Sequence, residues 1–182
     1  MRQIVNSTYI SLDGVIENPQ DWPSGRHEDD GQGQEIQAGL VERSEVLLMG
    51  RRTYEVFAPV WSAKSGDPVS DKFNSMEKWV ASRTLTAADW QNTTVLDGDA
   101  VAEIRRRREG PGGDIVQFGF GELSHALMEQ GLIDELRLWV HPFFVGEAAA
   151  TDLIFRPARQ TFFDLVETTP LASGIVVLTY RK

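Results

Sequence analysis

The chain has 182 residues, a formal net charge of −9 and no cysteine. That length suits one domain spanning residues 1–182 with its own core, and the missing cysteine excludes disulfides, thiolate metal sites and thiol nucleophiles. The acidic balance excludes general nucleic-acid binding, which needs clustered Lys and Arg against phosphates, and no stretch approaches the roughly 20 apolar residues of a membrane helix.

In chain order, Ile4 to Ile10 alternates and is rich in β-branched residues, which predicts a strand. The start of the chain turns polar too soon for a secretory signal, so a cytoplasmic location is expected. Ser11-Leu12-Asp13-Gly14-Val15 turns away from the strand. Residues 17–34 are dense in Pro, Gly, Asp and Asn, with Trp22 among them, and predict a long functional loop. Glu35 to Arg43 reads as a helix, Val46 to Met49 as a buried strand, and Arg51 to Phe57 as a second helix. Ala63 to Pro68 reads as a turn-rich loop, Lys72 to Lys78 as a short helix, and Trp79 to Ala81 as a strand. Thr93 to Leu96 is the next strand, and Asp99 or a neighbour caps a helix running to Arg108, where Gly110 to Gly113 stops it. Asp114 to Phe118 is a strand and Glu122 to Gln130 a helix. After Gly131 only strands follow: Glu135 to Val140, Thr161 to Thr168 and Gly174 to Arg181. Alternating strands and helices imply an α/β fold with a mainly parallel sheet and helices on its faces. The strand-rich last third adds antiparallel strands at one edge.

Three strand ends suit an anionic ligand. Gly50 turns the backbone sharply after a buried strand, and Arg51, Arg52 and Thr53 occupy the first turn of the following helix, where free N–H groups and the positive dipole end attract anions. A solvated helix start is the competing reading. Ser82 and Arg83 supply a hydroxyl and a guanidinium fork suited to a phosphate monoester; alone they would be an ordinary polar turn. Gly119-Phe120-Gly121-Glu122-Leu123 places glycines between a strand and a helix, where a backbone can approach a pyrophosphate, although Ser124 takes the third glycine position of the dinucleotide fingerprint. All three lie at carboxyl ends of expected strands, where open α/β sheets bind ligands.

The segment Leu48-Met49-Gly50-Arg51-Arg52-Thr53-Tyr54-Glu55 resembles the cofactor-binding segment of dihydrofolate reductases. The fuller pattern resembles the reductase domain of the bacterial bifunctional deaminase-reductase of riboflavin synthesis. It comprises Ser11 to Ile16, the Gly50 segment, Val80 to Thr84, Gly113 to Val116, Gly119 to Leu123 and Gly131 to Leu136. The resemblance implies a dihydrofolate-reductase-like fold, NADPH as cofactor and pairing into homodimers. It also implies residue roles. Gly50, Arg51, Arg52 and Thr53 would contact phosphates; Ser82 and Arg83 would read the 2′-phosphate. Gly119, Phe120, Gly121, Glu122 and Leu123 would wrap the pyrophosphate. Asp13, Gly14 and Ile16 would lie near the nicotinamide and substrate, with the Trp22 loop over the pocket. Two departures stand out. Phe118 occupies the place where the riboflavin enzymes carry an acidic residue, and the zinc-bearing deaminase half is missing.

The resulting expectation is hydride transfer from NADPH to a C=N or C=O carbon. Asp13, at a strand end, is the first candidate proton donor, Glu35 the second and a bound water the third; an Asp before Gly is also a common turn. Tyr54 and Phe57 could flank the substrate, with core packing as the alternative. Arg105 to Arg108 reads as a solvated helix end. His27, His125 and His141 are too scattered for a metal site, and none is expected. Three functions stay open: reduction of an aminopyrimidine ribose phosphate, reduction of a pterin, folate or other carbonyl compound, and dimeric nucleotide binding without turnover.

Overall fold

The computed structural model describes residues 1–23 and 30–182, so His27 and the middle of the Trp22 loop lie outside the described residues. The elements are β1 (Ile4–Ser11), α1 (Gln32–Arg43), β2 (Ser44–Gly50), α2 (Arg51–Trp61), α3 (Pro68–Ser75), β3 (Glu77–Ala81), β4 (Thr93–Leu96), α4 (Ala100–Arg108), β5 (Asp114–Phe118), α5 (Glu122–Glu129), β6 (Glu135–His141), β7 (Asp164–Pro170) and β8 (Val176–Arg181). This is the expected α/β architecture: an eight-stranded sheet, mainly parallel, with antiparallel strands at its C-terminal end.

The chain divides into two compact units, one of residues 1–4 and 37–118, the other of residues 5–36 and 119–182. In the first unit the strand order is β4-β3-β2-β5, all parallel. Val46, Leu47, Leu48 and Met49 are all fully buried, as a parallel strand covered on both faces requires. Trp79, Val80, Ile104, Ile115 and Val116 complete that core. In the second unit the order is β1-β6-β8-β7, where β1 and β6 are parallel and β8 runs antiparallel to both β6 and β7. Trp139 of β6, Leu171 and Val177 of β8 pack together, with Tyr9 and Ile36 against them. Gly33, in the first turn of α1, lies so close to this cluster that an added Cβ would stand 3.2 Å from Leu171 Cδ1.

Three local expectations are corrected. The helix read at Lys72 to Lys78 begins earlier, because Asp67 caps the Ser70 N–H and Pro68 takes the first helical position. It ends at Ser75, and Lys78 is instead a fully buried residue of β3. The strand read at Thr161 starts at Asp164, leaving Phe162 exposed before it. The arginine run is not wholly solvated: Arg108 is buried, while Arg106 and Arg107 both bind Glu103.

Candidate functional site

In the first unit, Gly50 and Ala81 are register partners on the parallel strands β2 and β3. The start of α2 and the Ser82–Arg83 turn therefore emerge side by side, one strand spacing apart. Gly50 is the N-cap of α2, is extended, and has no side chain capping the helix. Apart from its own chain neighbours, no heavy atom among the described residues lies within 4 Å of where its Cβ would be. Arg51 is exposed and pairs with Glu55 one turn on at 2.8 Å; Arg52 is also exposed and Thr53 half-buried. Ser82 Oγ accepts the N–H groups of Thr84 and Leu85 at 3.2 and 2.9 Å. Its lone pairs thus shape the turn, its own proton stays available to donate, and Arg83 is exposed beside it.

Two aromatic candidates change meaning here. Tyr54 is buried, and its Oη accepts the Trp90 backbone N–H at 3.2 Å, as a core residue does. Phe57 lies 5.8 Å from Phe118 and 6.4 Å from Phe73 and Trp61, ring centre to ring centre. Phe118 is part of this aromatic cluster, 5.9 Å from Phe73.

In the second unit, the strand-end turn after β1 is built around Asp13. Its carboxylate accepts from Ser11 Oγ, from the Gly146 N–H at 2.9 Å and from the Val145 N–H at 3.2 Å. These donors, the Ser11 hydroxyl first, hold its pKa down at about 2. Asp13 is therefore an anion at neutral pH in the ligand-free chain, where it braces the turn after β1. Gly14 adopts φ +85°, open to glycine, and Ser11 Oγ also accepts the Val15 N–H. Ile16 is buried, with its N–H committed to the Asp152 carbonyl, so its side chain belongs to the core. Arg156 secures the 150–155 segment by donating to the carbonyls of Ala150, Thr151, Leu153 and Phe155. Sequence reasoning missed this whole partner segment; nothing local to it signals the pairing.

Trp22 is half-buried. Its Nε1 donates to the Glu17 carbonyl and its ring packs edge-on against His141 and Phe143, 5.1 and 5.3 Å away. Burial pushes the His141 imidazole below its usual value. Glu35 is exposed on the first turn of α1.

The glycine corner follows the same pattern as Gly50. Gly119 adopts φ +78°, Gly121 is the N-cap of α5 without a capping side chain, and, apart from their own chain neighbours, neither has a heavy atom within 4 Å of an added Cβ among the described residues. Phe120 is buried, its ring edge-on to His125. Glu122 is exposed and Leu123 half-buried in the first turn of α5. Behind the corner, the fully buried Asn6 donates to the Gly119 carbonyl at 2.8 Å and to Ser124 Oγ at 3.4 Å. Sequence reasoning passed over Asn6; its signal was a polar residue inside a strand otherwise fit for the core.

Among known proteins, the uncharacterised Bacillus subtilis (strain 168) protein YyaP is 27% identical over 193 residues, covering 99% of this chain and 95% of its own. A pyrimidine reductase-like protein from Corynebacterium diphtheriae superimposes with a TM-score of 0.70 at 12% identity, covering 99% of this chain and 91% of that one. Acinetobacter baumannii RibD superimposes with a TM-score of 0.69 at 15% identity; all of this chain matches 58% of that one. Residues 2–177 match the RibD C-terminal domain, and the chain belongs to that family.

Proposed function

We propose that this protein is an NADPH-dependent reductase of a small ring-containing substrate. One contrast carries the reading. Helices α3 and α4 are capped by their own Asp67 and Asp99, whereas α2 and α5 begin at bare glycines with open space beside them. A helix start that no side chain satisfies suits an anion, and in each unit the residues present fit phosphate groups such as those of a dinucleotide. In the first unit, Gly50, Arg51, Arg52 and Thr53 would hold phosphate oxygens, and Ser82 with Arg83 the 2′-phosphate. In the second, Gly119, Phe120, Gly121, Glu122 and Leu123 would offer backbone N–H groups to the pyrophosphate, with Gly14 beside the nicotinamide. NADPH, when bound, supplies the hydride. The chain's own part is position and electrostatics. In this reading Asp13, an anion in the ligand-free chain, fixes the turn beside the substrate, and proton delivery is assigned to Glu35 or to water.

The family supports a substrate of the riboflavin pathway, a phosphoribosylamino-pyrimidine. Phe118 favours a second reading, since a ring 5.8 Å from Phe57 and 5.9 Å from Phe73 offers no charge to a polar substrate. That reading is a pterin, folate or other carbonyl compound. We also propose a cytoplasmic homodimer, whose contact would use the exposed Phe162, Leu165 and Val166 of the second unit; sedimentation of a Phe162→Asp, Leu165→Lys variant as a dimer would refute that surface.

The test uses Gly50→Val and Gly121→Val. Both positions have negative φ and room for a side chain, so the variants fold. NADPH affinity, followed by tryptophan fluorescence, should fall by about tenfold or more, roughly 1.4 kcal/mol. Unchanged affinity in both would refute the site. NADPH oxidation with each substrate class then separates the two readings, and binding without any oxidation would leave a nucleotide-binding protein without turnover.

A further inference from the structure

We infer that Asn6 is a positioning residue that aims the backbone donors of the glycine corner, a role resting on the dinucleotide reading above. Asn6 sits in the middle of β1 and is fully buried, as is Thr8 to within 1%. A buried amide is costly unless its groups are paired. Here Nδ2 faces the Gly119 carbonyl and Ser124 Oγ, while Oδ1 accepts the Thr8 hydroxyl at 2.7 Å. The Gly119 carbonyl, an acceptor only, fixes Nδ2 toward itself, and the Thr8 hydroxyl holds the other end of the amide by donating to Oδ1. Ser124 Oγ adds a second donor to the same carbonyl at 3.2 Å, and the Gly119 N–H is taken by the Ser7 carbonyl at 3.1 Å.

The consequence follows from peptide geometry. In a trans peptide the C=O and N–H of one unit point opposite ways. Pulling the Gly119 carbonyl toward Asn6 turns the Phe120 N–H away from Asn6. Among the described residues no acceptor takes the N–H of Phe120 or Gly121. Gly119, at φ +78°, is free to swing without that restraint. Asn6 thus supplies the orientation and the glycines supply the access. Ser124, which breaks the glycine fingerprint, contributes a hydroxyl to the same anchor.

The experiment compares Asn6→Ser, Thr8→Val and Thr8→Ser with the wild type in the full chain. Two quantities are read: NADPH Kd by fluorescence, and amide hydrogen exchange of residues 119–124 against β8 as internal reference. Thr8→Val keeps the shape but loses the hydroxyl; Thr8→Ser keeps the hydroxyl. We expect faster exchange at 119–124 and a Kd raised about tenfold in Asn6→Ser and Thr8→Val, with Thr8→Ser close to wild type. A merely structural role would lower overall stability without moving the Kd or the exchange of 119–124 relative to β8. If Asn6→Ser fails to fold, the Thr8 pair decides. Unchanged exchange at 119–124 overturns the inference, and so does faster exchange with an unchanged Kd. A wild type that binds no NADPH refutes the dinucleotide reading instead, and the exchange data alone then judge the anchor.

Discussion

The carboxylate of Asp13 accepts the backbone N–H of Gly146, 133 residues further along the chain, at 2.9 Å. With Ser11 and Val145 as further donors, this bond ties the turn after β1 to the segment after β6. The acid is a clamp, and its ionised form is the useful one.

Asp13→Asn should therefore lower stability while leaving turnover per folded molecule within a few-fold of wild type. The native pKa, about 2, lies below the unfolded value of roughly 3.9. The stabilisation is full above that unfolded value and disappears as pH falls through the native one. Urea melts of wild type and variant should differ at neutral pH and converge near pH ~2. A variant that loses turnover with an unaltered melt would put Asp13 back in the chemistry.

Tyr54→Phe should destabilise without touching kinetics. It leaves the buried Trp90 N–H without its acceptor, which costs about 1–3 kcal/mol. A raised KM with an intact melting curve would contradict the core assignment.

Lys78 makes the alkaline limb of stability predictable. Burial lowers its ammonium to about 8, although Nζ donates to the carbonyls of Asn74 and Met76 and sits 4.6 Å above the Trp90 ring. In the unfolded chain the value is about 10.4. The unfolded state thus binds more protons between those values, and stability should rise with pH there, at up to about 1.4 kcal/mol per unit. Lys78→Met should remove that rise in denaturant titrations at stepped pH. A slope shared by both proteins would mean that another group is responsible.

Arg83→Ala should separate NADPH from NADH. A lost charged hydrogen bond of about 1.5–3 kcal/mol weakens NADPH roughly 10–100-fold, while NADH, without the 2′-phosphate, should bind as before. Equal losses for both cofactors would remove Arg83 from 2′-phosphate recognition.

The strands were legible where local chemistry sufficed. β4 and β5 match their expected bounds, because short β-branched runs between turn residues have few other uses. The start of α3 was hidden because Asp67-Pro68, a cap and a first-turn proline, sits in a stretch whose glycine and prolines read as loop. For the candidate site, the helix starts at Gly50 and Gly121 could be read from their place at strand ends. The work of Asp13 could not, since its partners Val145 and Gly146 are remote in sequence and only the fold joins them. Tyr54 and Phe57 share a helical spacing that serves a core and a pocket equally well; only the Trp90 N–H separates those meanings for Tyr54.

The uncapped starts of α2 and α5 also set a limit on engineering. Replacing Gly50 or Gly121 by Ser or Asp would be a standard route to a sturdier helix. Here the new oxygen would satisfy the very donors a phosphate needs, so the ligand-free chain would gain thermal robustness as it lost affinity. Screens that reward heat tolerance alone would drift toward proteins that survive well and bind nothing.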